Sequence, residues 1–158
     1  MDTPFGKKTF QEFSLEEARK CDYVFLAVSG DFSLEHAEAL GKGDGPVVID
    51  NSSAFRMKDG IPLVIPEING HKAENAKLIA NPNCTTAIGI VALWPLHQKF
   101  GIKKIIMSTY QAASGAGQPG MNELLNGTKT HLETGEPMNP EYFAHPLPFN
   151  VIPHIDKF

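Results

Sequence analysis

The first half of the chain alternates short apolar runs with segments of helical character. Continuous apolar runs predict strands that are buried on both faces of a sheet, because a strand with one solvated face alternates apolar and polar residues. These runs lie at 22–28, 47–49, 63–65 and 78–80. Helices are predicted from the capping box that begins at Ser14, over 34–40, and over 71–76. This order of elements predicts a parallel α/β sheet with right-handed crossovers.

The second half of the chain has a different pattern of apolar segments. Residues 85–97 are strongly apolar and predict a helix, which Pro95 would disturb. Residues 103–110 predict a longer strand, and residues 121–132 predict another helix. Beyond Thr134, five prolines exclude a long helix, so an extended excursion is expected there.

Composition and charge narrow the class of protein. The chain has 158 residues, of which 42% are hydrophobic and 20% charged, and its net charge is −4, as in soluble globular proteins. This negative balance argues against nucleic acid or an anionic membrane as a partner, and no apolar run approaches the ~20 residues that span a bilayer. We expect a cytoplasmic location, or a plastid one if the source is a plant or alga. The two cysteines and six scattered histidines lack metal-ligand spacing, so no metal site is expected.

Cys84 is the first candidate for chemistry. It follows Asn81-Pro82-Asn83 and immediately precedes the apolar helix. A helix N-terminus presents unpaired backbone N–H groups and the positive end of the dipole, and both favour the nucleophilic thiolate. The alternative, a small buried apolar residue, stays open from this local context. Cys21 enters a predicted buried strand and is interpreted as structural.

Four stretches, in this order, resemble the signatures of the aspartate-semialdehyde dehydrogenase family. They are DNSSAFRM at 50–57, NPNCT at 81–85, STYQAASGAG at 108–117 and FNVIPHID at 149–156. The resemblance covers nearly the whole chain apart from the first dozen residues, and four ordered motifs are far more specific than one. It implies an α/β fold: an incomplete Rossmann-type parallel sheet in a partial NADP-binding domain (1–83), followed by part of an α+β substrate and dimerisation domain (84–158).

The family catalyses NADPH-dependent reductive dephosphorylation of aspartyl-4-phosphate to aspartate semialdehyde, a step towards lysine, threonine and methionine. The resemblance implies that Cys84 forms a thioester with the substrate, since a thiolate is both a good nucleophile and a good leaving group. It also implies NADP as cofactor, and aspartyl phosphate, aspartate semialdehyde and phosphate as small-molecule partners. A full-length protein would be a homodimer or homotetramer.

The resemblance assigns three further residues to the substrate. Gln111 would contact its reacting end, where an amide donates a hydrogen bond to developing negative charge. Arg56 would bind phosphate, which suits the two-bond contact of a planar guanidinium. Asn83 would lie close to the substrate, although a loop asparagine that bonds its own backbone remains an alternative.

Five residues are candidates for the cofactor. The resemblance implies that Ser114 and Gly115 approach the nicotinamide half of NADP. Ser29, Gly30 and Asn51 follow predicted parallel strands, at the edge where nucleotides bind in open α/β sheets.

Three family features are not found in the sequence: the glycine-rich pyrophosphate loop, the acid/base histidine, and the arginine that grips the substrate carboxylate. We therefore expect an internal fragment with little or no turnover of its own. His154 lies before the expected position of the histidine and is not interpreted as the base. An unpaired sheet edge is expected to favour association.

Two sister families share the cysteine chemistry but fit less well. Glyceraldehyde-3-phosphate dehydrogenases typically have Asn where this chain has Ala87, and N-acetyl-glutamyl-phosphate reductases place Gly and Tyr around the cysteine. A rival of another class is a non-catalytic truncated subunit or assembly module. A fragment without separate function is a third possibility. Ordinary reactivity of Cys84 would favour the non-catalytic alternative.

Overall fold

The structure is a computed structural model that describes residues 2–153, in two compact units that divide between Ile105 and Ile106. The described part of the first unit contains five strands, four α-helices and one 3₁₀ turn. In chain order these are β1 (Asp2–Thr3), β2 (Gly6–Lys7), α1 (Leu15–Ala18), β3 (Tyr23–Leu26), α2 (Gly30–Gly41), β4 (Val47–Asp50), α3 (Pro66–Asn69), the 3₁₀ turn Gly70–Ala73, β5 (Leu78–Ala80) and α4 (Cys84–Phe100). The predicted domain boundary between Asn83 and Cys84 stays a prediction.

The predicted parallel sheet is confirmed. Its strand order is β3-β4-β5, with β4 parallel to both neighbours, so Ile49 lies opposite Phe25 on one side and Ile79 on the other. The predicted strand at 63–65 is reduced to one bridge between Leu63 and Ala80. It ends there because Pro66 has no N–H for a ladder and begins α3.

The core lies on one face of this sheet. Its buried cluster consists of Leu26, Ala37, Leu40, Val48, Phe55 and Ala80. On the other face, Tyr23 is 63% and Phe25 is 72% exposed. The prediction that the run at 22–28 is buried on both faces is therefore wrong, because the described helices cover only the face that carries Leu26.

The predicted helix at 85–97 is confirmed and is longer, since α4 has 17 residues and continues through Pro95. Its last turn is closed by Gly101, which has φ 68° and donates its N–H to the carbonyl of His97 at 2.9 Å. Glycine adopts this left-handed conformation without steric cost, so it is suited to ending the helix. The α1 prediction is also confirmed, because the Ser14 hydroxyl accepts from the N–H of Glu17 at 3.3 Å.

The described part of the second unit contains the 3₁₀ turn Ala113–Ala116 and the helix α5 (Gly117–Thr134), which confirms the helix predicted at 121–132. The strand predicted at 103–110 is wrong within residues 2–153. A strand needs a hydrogen-bonded neighbour, and no described strand pairs with this segment. The tail after α5 is held to the helix by Glu123, whose carboxylate accepts hydrogen bonds from the backbone N–H groups of Glu141, Tyr142 and Phe143.

Candidate active site

Cys84 is the first residue of α4, and its side chain is exposed. The helix begins here because Asn83 caps it: the Asn83 Oδ1 atom accepts from the N–H of Thr85 at 3.0 Å and of Thr86 at 3.4 Å. Pro82, which is buried, fixes the chain just before the cap. The sulfur is thus presented to solvent at the N-terminal end of a capped helix, where a substrate can reach it.

The cap is relevant to both roles predicted for Asn83, a contact with the substrate and a bond to its own backbone. Its carboxamide oxygen is engaged by backbone, as the alternative in the sequence analysis expected. Its Nδ2 group is a separate donor, so a contact of Asn83 with the substrate stays a prediction.

Arg56 lies against the ends of two strands. Its Nε donates to the carbonyl of Asn81 at 3.0 Å, and its Nη2 donates to the carbonyl of Asn51 at 3.1 Å. These residues directly follow β5 and β4. One edge of the guanidinium is therefore docked on the sheet. The edge formed by its two Nη groups has the geometry that binds two oxygens of a phosphate.

A buried carboxylate organises the loop that leads to Arg56. Asp50 is fully buried, and its oxygens accept from the hydroxyl of Ser33 at 2.6 Å, from the hydroxyl of Ser52 at 2.8 Å and from the N–H of Ser52 at 3.2 Å. The Ser52 hydroxyl in turn accepts from the N–H of Ala54 at 3.1 Å. Sequence reasoning missed this role. The available signal was an aspartate that ends an otherwise apolar strand.

Ser29 and Gly30 form the start of α2, beyond the carboxyl end of β3. The Ser29 hydroxyl caps the helix by accepting from the N–H of Phe32 at 3.4 Å. A Cβ at Gly30 would come no closer than 3.9 Å to Ala54, so packing alone does not require glycine there. Asn51 lies at the same edge of the sheet, where its Oδ1 accepts from the Nδ2 of Asn81 at 2.7 Å.

In the second unit, Gln111 and Gly115 are in direct contact. A Cβ at Gly115 would lie 2.1 Å from the Nε2 and 2.9 Å from the Cδ of Gln111. The missing side chain of Gly115 therefore makes room for the amide of Gln111. Ser114 is exposed on the same 3₁₀ turn.

Two other predictions have different outcomes. Cys21 is exposed, so its interpretation as a buried structural residue is wrong; it precedes β3 and is on no packed face. His154 lies outside the described residues. Within residues 2–153, no group of three His, Cys, Asp or Glu residues is placed to hold a metal ion, and no described helix is long and apolar enough to cross a membrane.

Family comparisons agree with this arrangement. The model described as "Semialdehyde dehydrogenase, NAD binding domain" matches residues 3–76, and "Semialdehyde dehydrogenase, dimerisation domain" matches residues 93–158. The chain therefore belongs to the semialdehyde dehydrogenase family. Its fold is that of the family: part of a nucleotide-binding parallel α/β sheet followed by part of a dimerisation domain.

Several proteins similar to this chain are aspartate-semialdehyde dehydrogenases. The aspartate-semialdehyde dehydrogenase of Aquifex aeolicus is 46% identical over 140 residues, which cover 87% of this chain and 41% of the relative. That of Synechocystis is 47% identical over 135 residues, 85% of this chain and 39% of the relative. The crystal structure of aspartate semialdehyde dehydrogenase II from Vibrio cholerae, complexed with ASA, superposes with a TM-score of 0.83 at 38% identity, and covers 93% of this chain and 43% of that one. The chain thus spans about two fifths of the length of the curated relatives it matches.

Proposed function

We propose that this chain is the cysteine-bearing part of an NADP-dependent aspartate-semialdehyde dehydrogenase. The reaction is the reductive dephosphorylation of aspartyl-4-phosphate to aspartate semialdehyde, on the route to lysine, threonine and methionine. The observation that carries the proposal is the exposed Cys84 at the start of a capped 17-residue helix, three residues after the strand-end carbonyl that binds Arg56.

In the first half-reaction, the Cys84 thiolate attacks the acyl carbon of the substrate. The bond from this carbon to the phosphate oxygen breaks, phosphate departs with the bonding electrons, and a thioester remains on the sulfur. Arg56 binds the phosphate through the edge that faces away from the two carbonyls. Gln111 donates an amide N–H to the oxygen on which negative charge develops.

NADPH, when bound, supplies the hydride that reduces the thioester carbon. Cys84 then leaves as a thiolate when the C–S bond of the reduced intermediate breaks, and the aldehyde is released. In the first unit, Ser29, Gly30 and Asn51 at the carboxyl edge of the sheet fit part of a dinucleotide, since the start of the 12-residue α2 offers backbone N–H groups to a phosphate. The family resemblance assigns the nicotinamide half of the cofactor to Ser114 and Gly115.

The partners and location follow from the same proposal. The substrates are small molecules, and a full-length protein is a homodimer or homotetramer, an assembly that the match to a dimerisation domain supports. Its proposed location is cytoplasmic. The alternative is a non-catalytic subunit that docks on a complete partner. It requires no special reactivity at Cys84, so the cysteine distinguishes the two.

A chimera tests the proposed reaction. This chain would replace the matching segment of the Aquifex aeolicus relative, and phosphate-dependent reduction of NADP by aspartate semialdehyde would be measured. We expect turnover that Cys84→Ala abolishes and that Cys21→Ser, the matched exposed-cysteine control, leaves intact. A folded chimera that lacks turnover, or one whose turnover survives Cys84→Ala, would contradict the proposal. The 158-residue chain alone, assayed beside it, is expected to show little or no turnover.

A further inference from the structure

The carboxyl ends of β4 and β5 place two asparagines side by side. The ladder continues one residue beyond the strands, because the N–H of Asn81 donates to the carbonyl of Asp50 at 2.8 Å. Asn51 is held in the same way, by an N–H bond to the carbonyl of Leu26 at 3.0 Å. The two main-chain carbonyls that follow therefore lie at neighbouring positions along one edge of the sheet.

Both carbonyls accept hydrogen bonds from the same guanidinium. Arg56 reaches Asn81 through Nε and Asn51 through Nη2, which together form one edge of the planar group. Two bonds to a planar group fix the orientation of its plane. The edge between the two Nη groups then points away from the sheet, and within residues 2–153 no hydrogen bond engages Nη1.

A third bond ties the asparagines to each other: the Nδ2 of Asn81 donates to the Oδ1 of Asn51 at 2.7 Å. This bond joins two loops that are 30 residues apart in sequence. It adds a direct side-chain link between the two residues whose carbonyls accept from the guanidinium. The same Asn81 begins the segment that leads through Pro82 to Cys84.

We propose that Asn81 is a positioning residue that, through its side-chain bond to Asn51, aims the free edge of Arg56 at a phosphate group. The inference rests on the proposed role of Arg56 in binding the phosphate of the substrate. Asn81 itself contacts neither phosphate nor cofactor. Its removal should therefore act through Arg56 and through no other residue.

Inorganic phosphate is the probe for this inference. The chain has only two arginines, Arg19 and Arg56, so the ¹⁵N-labelled protein gives two Nε–H signals in NMR spectra, and Arg56→Lys assigns them. Arg19 is an internal control, because its guanidinium is engaged by the carbonyls of Leu40 at 2.9 Å and Lys42 at 2.8 Å. Phosphate is expected to shift the Arg56 signal and to leave the Arg19 signal in place.

Substitution of the two asparagines gives the decisive comparison. Asn81→Ala is expected to weaken phosphate affinity about fivefold, the effect of losing one neutral hydrogen bond. Asn51→Ala removes the same bond from its other end. The double variant should therefore bind phosphate no more weakly than either single variant. Because Arg56→Lys has no Arg56 signal, its phosphate affinity is measured by titration calorimetry, and in this background Asn81→Ala should have no further effect.

The outcomes separate the two proposals. Phosphate affinity that falls in Arg56→Lys but is unchanged in both Asn81→Ala and Asn51→Ala overturns the positioning role and leaves the phosphate site standing. Additive losses in the double variant also overturn it, because the side chains would then act independently. Affinity that is unchanged in Arg56→Lys overturns the phosphate site itself. A thermal unfolding midpoint measured for each variant confirms that folded proteins are compared.

Discussion

The amide of Gln111 occupies the space that a side chain at Gly115 would fill, since a Cβ there would lie 2.1 Å from Nε2. Gly115 was predicted from the sequence as a cofactor residue. The contact supplies a second reason for glycine at this position, because any larger residue would displace the amide proposed to stabilise the reacting oxygen.

Gly115→Ala should therefore reduce turnover of the chimera by moving Gln111. Loss of one donor to a developing oxyanion typically lowers kcat by about 10²–10³-fold. The side-chain amide signal of Gln111 in NMR spectra should shift at the same time. Gly70→Ala is a matched control, because a Cβ at Gly70 has no atom within 4 Å. An unchanged Gln111 signal in Gly115→Ala would refute the displacement.

Asn83 allows its capping role to be separated from a role at the substrate. Asn83→Ala removes the acceptor for the N–H groups of Thr85 and Thr86 and should lower the free energy of unfolding by about 1 kcal/mol. Asn83→Ser retains a capping oxygen but lacks the amide, so it should be nearly as stable as the unsubstituted protein. Urea denaturation measures the stability, and the chimera measures turnover. If Asn83→Ser retains full turnover, the cap is the only role of Asn83.

Among the polar residues of the first unit, Asp50 is expected to be the one whose substitution lowers stability most. Asp50→Asn weakens the charge-assisted bonds from Ser33 and Ser52 inside a buried site and should lower the free energy of unfolding by about 2 kcal/mol. The exposed Asp59→Asn is the control, and its effect should be near zero. Equal denaturation midpoints for the two variants would mean that the network around Asp50 contributes little.

Because of Glu123, the stability of the second unit should decrease at acidic pH. Burial raises the pKa of Glu123 and is the largest single influence, but the backbone N–H groups of Tyr142, Phe143 and Glu141 together outweigh it, so its pKa is lowered from the ordinary value. A carboxyl whose pKa is lower in the folded state stabilises that state above the unfolded pKa of about 4.3. This stabilisation is lost as the pH falls through the folded pKa.

An NMR titration of the Glu123 carboxyl checks this direction, and Glu123→Gln should flatten the dependence of stability on pH below about pH 5. Glu133→Gln, on the exposed side of the same helix, is the control and should leave the dependence unchanged. A titration midpoint at or above the ordinary glutamate value would show that burial prevails over the three N–H donors.

Much of the secondary structure was predictable because its causes are local. Apolar runs at β3, β4 and β5 were recognised as parallel strands, and the capping box at Ser14 marked the start of α1. The prediction of a strand at 103–110 was wrong for a reason that lies outside these residues. A β-strand exists only when a partner pairs with it, and hydrophobic patterning does not say whether one is present.

The features of the candidate site likewise fall into two groups: those with local causes and those that depend on the tertiary structure. The sequence by itself determined the family, the position of Cys84 at the start of a helix, and the candidacy of Arg56 and Gln111, because each depends on residue type and near neighbours. Only the tertiary structure decided that Ser33 reaches Asp50, that Asn81 reaches Asn51, and that Tyr23 is exposed. These contacts join residues 17 and 30 positions apart, or depend on which face of the sheet is covered. Strand register and helix packing create them, and neither is set by the residues on one segment alone.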